Sequence, residues 1–388
     1  EAVVEVASQG FDVSSEPPVR GRLVSISAGG SAGSVVSDDH VLALVVHHIS
    51  ADGASLVPLA RDLMEAYVAR LSGSRPDRPP LEVQYADFAA WQQETFGDAE
   101  NPDSPAGRQL AYWKQQLAGV PDLLDLPTDR PRPAVPSLRG ATVFTEVDAS
   151  TRQRLEALAT ENRASLFMVV HAALAVLLAR MSGSRDVVVG TAVAGRGSRV
   201  LDDIVGMFVN TLALRTDVDP GAHFADILGQ ARTADLEAFA HADIPFERIV
   251  DEVVANRSPA RHPVFQTMLS FQNLEPARLE LPELTVEALD SGVLAAKFDL
   301  QVTVEPIATA DGMRIALTYA ADLFDETTAQ ALAQRFVTVL DAVAADPASV
   351  VGDIEIRTET EREAATTPLA APVRETALET VDRTVVQE

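Results

Sequence analysis

The sequence predicts an α/β protein, and three patterns carry that prediction. Short runs rich in β-branched residues read as buried strands, as at Val41-Leu42-Ala43-Leu44-Val45-Val46. Longer segments repeat apolar residues at spacings of three and four, the mark of one helix face, as in Leu56, Leu59, Leu63, Tyr67 and Leu71. The two kinds alternate in two blocks, 1–119 and 140–356, joined by a Pro-rich connection at 120–139.

In the first block, strands are expected at 22–26 and 41–46 and a helix at 54–71. The second block repeats the theme, with helices at 150–162 and 165–181 and a strand at 187–193. Residues 166–181 are apolar nearly all round, interrupted by His171 and Arg180, so this helix is expected to lie buried between layers with His171 hydrogen-bonded in the core. No short internal period is visible, and the pattern implies two similar α/β lobes whose contact makes a cleft. Segment 357–388 is rich in Thr, Glu, Ala and Pro with little apolar periodicity, and reads as a flexible linker or tail.

Composition excludes several classes of function. A net charge of -26 argues against a nucleic-acid or anionic-membrane surface, since both need clustered Lys and Arg. Zero cysteines exclude disulfides, thiolate catalysis and cysteine-ligated metal, and suit a cytoplasmic protein. No apolar run reaches the roughly 18 residues of a membrane span, and Glu1-Ala2-Val3-Val4-Glu5 lacks the basic start of a signal peptide. No metal is expected, and any thioester chemistry must take its sulfur from a partner.

The segment His47-His48-Ile49-Ser50-Ala51-Asp52-Gly53 ends a strand and opens a helix, so two imidazoles, a carboxylate and a glycine crowd one turn. Each has an ordinary reading. Histidine at a buried strand end is commonly a hydrogen-bonded core residue, Asp52 can cap the helix by accepting from the Ser55 amide, and Gly53 can simply turn the chain. Their coincidence supports a site, because a titratable base beside a buried carboxylate at an element end makes a poised imidazole.

This segment resembles the HHxxxDG core motif of the condensation domains of nonribosomal peptide synthetases. More distantly it is similar to the HxxxDG motif of coenzyme-A-dependent acyltransferases of the chloramphenicol acetyltransferase type. The resemblance continues in order through Val83-Gln84-Tyr85-Ala86-Asp87-Phe88, Trp91-Gln92, Leu126-Pro127-Thr128-Asp129-Arg130-Pro131-Arg132-Pro133 and Val205-Gly206-Met207-Phe208-Val209-Asn210-Thr211. It then runs through Ile244-Pro245-Phe246-Glu247-Arg248 and Ser258-Pro259-Ala260-Arg261-His262-Pro263-Val264-Phe265-Gln266. It implies two chloramphenicol-acetyltransferase-like lobes in a V-shaped pseudo-dimer, with a tunnel between them. Because the family opens with further residues before Phe11-Asp12-Val13, the first lobe is expected to be truncated, leaving an unpaired strand edge and an exposed apolar face.

Carried over residue by residue, the resemblance implies catalysis by His48 and packing by His47. Asp52 would hold the loop through an arginine, for which Arg196, Arg20 and Arg22 are candidates, while Gly53 would serve the turn or offer its amide to an oxyanion. Asn210 and Thr211 would close over the cleft, Ser270 and Gln272 would line the tunnel, and Arg261 and His262 would shape the turn before them. The implied activity is amide-bond formation between donor and acceptor aminoacyl thioesters, with no cofactor of the chain's own. Phosphopantetheine arms would come from upstream and downstream carrier domains beside an adjacent adenylation domain. His47-His48 separates the chain from heterocyclisation members, which carry aspartates there. Ala51-Asp52-Gly53-Ala54-Ser55 with Ser258-Pro259-Ala260-Arg261-His262-Pro263 resembles the subtype that takes a D-configured donor. An idle docking scaffold and a stand-alone coenzyme-A-dependent acyltransferase are the alternatives.

Overall fold

Alternating side chains close the first two strands into a hairpin. In the computed structural model, which describes residues 2–26, 39–272, 279–281, 284–286, 295–307, 311–358 and 361–363, helix α1 (Ala2–Ser8) precedes β1 (Val19–Ser25) and β2 (His40–Val46). The strands pair antiparallel from Val19↔Val46 to Ser25↔His40. Cross-strand partners share a face. Arg22 and Ala43 face α1, where Arg22 pairs with Glu5 and Val6 is buried. On the other face Leu23, 66% exposed, lies opposite Leu42, also exposed. Helix α2 (Leu56–Leu71) begins two residues later than the periodicity predicts, after a turn over Gly53 to Ser55, and likewise exposes Leu56, Val57, Leu63, Val68 and Leu71.

Two helices follow. α3 (Tyr85–Phe96) starts from a reciprocal cap between Gln84 and Asp87, and α4 (Pro105–Gln116) from Ser104, whose hydroxyl accepts from the Gly107 amide.

The remaining elements are β3 (Gly140–Val147), α5 (Ala149–Glu161), α6 (Leu166–Ser182), β4 (Asp186–Val193), β5 (Asn210–Asp217), α7 (Phe224–Ala240), α8 (Phe246–Val253), β6 (Thr267–Phe271), β7 (Leu279–Leu281), β8 (Leu284–Val286), β9 (Leu300–Pro306), β10 (Met313–Ala320) and α9 (Glu326–Ala345). One six-stranded sheet has the order β3-β10-β9-β6-β4-β5. Its β6 runs parallel to β4 and β9, and the other neighbours are antiparallel. β7 and β8 form a separate pair. Thus among the described residues the first block holds a two-stranded sheet and the second a six-stranded one.

The main core packs α5, α6, α7 and α9 on this sheet, through residues such as Leu155, Val169, Ile227, Leu269 and Phe336. α6 runs from the Ser165 cap to Gly183, which takes the left-handed conformation at its end. His171 is fully buried, as expected, but only half satisfied. Its Nδ1 meets Asp235 at 3.0 Å, while Nε2 has no hydrogen-bond partner among the described residues. Among the same residues no single helix is long and apolar enough to cross a membrane.

The sequence divisions are not walls in the structure. α4 belongs by order to the first block, yet it buries Trp113 and Leu117 with Leu212, Leu214, Ile249 and Phe265 of the second. The Trp113 indole N–H donates to the His241 carbonyl at 2.9 Å. The Pro-rich connection is strapped down rather than slack. Gln266 accepts from the Leu124 amide and donates to the Asp122 and His262 carbonyls, Arg261 pairs with Asp122, and Arg132 forks onto Asp299. The described residues up to Ile356 belong to one compact unit, and those from Arg357 fall outside it. Among the latter, the Thr358 amide donates to Glu361, and most of the segment expected to be a linker lies outside the described residues.

Trp113→Ala is predicted to destabilise the fold by about 4 kcal/mol, since it opens a large cavity in the core and removes the donor to the His241 carbonyl. Urea unfolding measures this directly, and a loss below about 1 kcal/mol would show that α4 is not part of the core.

Candidate active site

Strand β2 delivers the histidines to a tight turn. After Val46 the His47 carbonyl accepts from both the amide and the hydroxyl of Ser50, and this closes the chain on itself. The His47 amide donates to the Pro18 carbonyl, and its ring nitrogen Nδ1 accepts from the Ile49 amide at 3.1 Å. Its ring meets Phe11 edge-on at 5.9 Å. His47 is therefore held by backbone and packing on every side described.

The His48 ring is exposed, and its Nδ1 lies 3.0 Å from the Ala51 carbonyl. A carbonyl can only accept, so the proton of the neutral ring sits on Nδ1. Nε2 is left as a lone pair, with no hydrogen-bond partner among the described residues. That is the tautomer a proton acceptor needs.

Asp52 is buried, at 5% exposure, and its carboxylate receives four hydrogen bonds. Oδ1 accepts from the Ser55 amide at 2.8 Å, the Ser55 hydroxyl at 2.7 Å and Arg196 Nη2 at 3.0 Å, and Oδ2 accepts from the Phe208 amide at 3.0 Å. Burial by itself raises this group's pKa. The bonds from Ser55, Phe208 and Arg196 outweigh that effect and hold it below the ordinary 3.8.

Of the three arginine candidates, Arg196 makes the pair. Arg20 turns to Glu16 and lies over Phe11, and Arg22 turns to Glu5. Arg196 also donates to the Leu201 and Ile204 carbonyls and lies 4.2 Å from the Phe208 ring centroid. Gly195 permits this approach. It sits at φ +64°, and a Cβ there would come within 1.9 Å of the Phe208 carbonyl oxygen.

Several residues of the site carry no obvious chemical signal in the sequence. Ser55 is fully buried and joins the two chain segments, accepting from the Gly206 amide at 3.1 Å and from Arg196 at 2.9 Å. The Tyr85 hydroxyl donates to the Met207 carbonyl at 2.7 Å, and its ring meets Phe208 at 5.2 Å. Their signal was positional, since Tyr85, Gly206 and Phe208 lie in the motif segments and Ser55 two residues past Gly53. Gly53 itself is exposed, precedes α2, and has open space where a Cβ would stand, so sterics do not demand glycine there.

The other predicted positions make hydrogen bonds and strand pairings of their own. Asn210 starts β5, and its amide group donates to the Ala242 and Ile244 carbonyls while accepting from the Phe246 and Thr211 amides. It ties down the loop before α8. Thr211 pairs opposite Ala192. Ser270 is half-buried in β6 opposite Thr303, and the exposed Gln272 follows that strand. His262 donates from Nδ1 to the Phe265 carbonyl, and burial pushes its pKa below that of an ordinary imidazole.

The sheet and helices define a mixed α/β protein with the chloramphenicol-acetyltransferase-like fold of solved condensation domains. The match of a family model, "Condensation domain", to residues 1–366 makes the chain a member of the condensation-domain family. A dimodular nonribosomal peptide synthase of Bacillus subtilis is 43% identical over 92% of the chain, and an isonitrile lipopeptide synthase of Mycobacterium tuberculosis is 41% identical over 93%. The chain spans only 15% and 14% of these relatives. The X-domain solved with OxyB from teicoplanin biosynthesis superposes with a TM-score of 0.83 at 35% identity, covering 92% of this chain and 77% of that one. The first condensation domain of the calcium-dependent antibiotic synthetase shares the fold, with a TM-score of 0.63 at 24% identity over 82% of this chain and 67% of its own.

Asp52→Asn is predicted to lose about 3 kcal/mol of stability at neutral pH, because Arg196 is left buried beside a neutral group. With its folded pKa depressed, Asp52 stabilises fully above 3.8 and ceases to do so as pH falls through the folded value, so the deficit should shrink in acid. Urea unfolding of both proteins across this range checks it, and equal stability at neutral pH would contradict a structural ion pair.

Proposed function

We propose that the chain forms peptide bonds between two carrier-tethered thioesters, and that His48 acts on the acceptor amine. The observation that carries this reading is the contact of His48 Nδ1 with the Ala51 carbonyl on an exposed residue, which assigns the proton to Nδ1 and leaves Nε2 without a partner among the described residues. The acceptor amine attacks the donor thioester carbonyl, forming C–N and breaking C–S. The donor's phosphopantetheine leaves as thiolate, and the proton that the amine gives to Nε2 passes on to that sulfur, so the thiol and the neutral ring are restored together. The arms belong to the carriers and enter as substrate.

The proton transfer supplies a modest part of the acceleration. An α-amino group with a pKa near about 8 is partly free at neutral pH, and holding both reactants in attack geometry contributes more. Aligning the amine and stabilising the tetrahedral intermediate are parts the same ring can play. Gly53, unencumbered above its Cα, can present its amide to the oxyanion. Partners on this reading are upstream and downstream carriers with an adjacent adenylation domain, and the motif likeness favours a D-configured donor.

The likeness to an X-domain solved with OxyB supports a second reading, a docking module without chemistry of its own. One assay separates the two. With the chain joined to carriers loaded with aminoacyl thioesters, mass spectrometry is predicted to find dipeptidyl acceptor carrier, faster from a D-loaded donor. His48→Ala should lower the rate at least about tenfold. An unchanged rate would remove His48 from the chemistry, carrier binding without product would support docking, and transfer from free acyl-coenzyme A would point to a stand-alone acyltransferase.

A further inference from the structure

One peptide group joins the imidazole to a loop some 150 residues away in sequence. The Ala51–Asp52 peptide accepts from His48 Nδ1 at its carbonyl, 3.0 Å, and donates from its amide to the Gly206 carbonyl, 3.2 Å. A peptide engaged at both ends is more polarised than one engaged at either, so each bond strengthens the other. The Gly206 carbonyl thereby bears on which ring nitrogen of His48 keeps the proton.

Two side chains fix that carbonyl. Ser55, fully buried, accepts from the Gly206 amide and has a single proton to share between Asp52 Oδ1 at 2.7 Å and the Gly206 carbonyl at 2.9 Å. Tyr85 holds the next peptide, its hydroxyl on the Met207 carbonyl, and its ring fills the space above Gly206. A Cβ on Gly206 would come within 2.3 Å of that ring. Serine hydroxyl, tyrosine ring and absent side chain fit together as one clamp on the loop.

We propose that Ser55, Gly206 and Tyr85 are positioning residues for His48, which set its Nδ1–H tautomer through the Ala51–Asp52 peptide. The inference rests on His48 acting through Nε2, but its tautomeric part can be tested without turnover. The measurement is the pair of imidazole ¹⁵N shifts of His48 at about pH 8.5, where an ordinary imidazole is neutral. They would be recorded for the unaltered chain, Ser55→Ala and Tyr85→Phe, alongside kcat and KM for dipeptide formation.

The unaltered chain should show one tautomer, with the proton on Nδ1. Ser55→Ala should populate both tautomers and lower kcat about tenfold, roughly the effect of one hydrogen bond, with KM little changed. Tyr85→Phe keeps the ring and should shift the population the same way by less. It also serves as the test should Ser55→Ala not fold. An unaltered ¹⁵N pattern in the folded variant overturns the relay, even if the rate falls. A shifted tautomer with an unchanged rate upholds the relay and overturns the part assigned to His48.

Discussion

The buried carboxylate of Asp52 is the constraint on which the histidine turn depends. An unpaired carboxylate at 5% exposure would carry a desolvation penalty of several kcal/mol. It is tolerable here because four donors converge on it, and two of them, Arg196 and the Phe208 amide, come from the far side of the chain. The turn in the first block and the 195–208 stretch in the second therefore hold their shapes together. Breaking the pair leaves a guanidinium buried over Phe208, a larger penalty than the pair's net stabilisation.

Much of this was legible because it rests on local pattern. The strand that ends at Val46, the helix through Leu63 and Tyr67 and the all-apolar helix around His171 follow from periodicity of side chains along one element. What was not legible depends on contacts between distant segments. Nothing in the spacing near Trp113 says that α4 leaves its own block to pack against β5 and α8. Nothing near Gln266 says that its amide ties down the Pro-rich connection. That His171 Nε2 meets no hydrogen-bond partner among the described residues is of the same kind, set by what α6 packs against rather than by its own residues.

The site divides along the same line. The residue types with chemistry to offer, His48 and Asp52, announce themselves, and Arg196 could be named as one of three arginines. The residues that hold them are a serine, a tyrosine ring and a glycine without a side chain, types that occur everywhere. Their importance appears only when Gly206 is found beneath Tyr85 and Ser55 between Asp52 and Gly206. Asn210 is instructive in another sense, because its amide group is engaged by the loop before α8, by the Phe246 amide and by the neighbouring Thr211 amide, contacts that its spacing in the motif does not reveal.

The exposed apolar residues of β1, β2 and α2 set the first block apart from the tightly filled second. Order at the histidine turn therefore comes less from a core beneath it than from the polar knot beside it, which makes the Asp52–Arg196 coupling the most direct measure of the whole account. A double-mutant cycle of Asp52→Ala and Arg196→Ala, read by urea unfolding, is predicted to give a coupling of about 2 kcal/mol. A coupling within about 0.5 kcal/mol of zero would mean that the two residues stabilise the chain independently, and that the knot does not hold the turn.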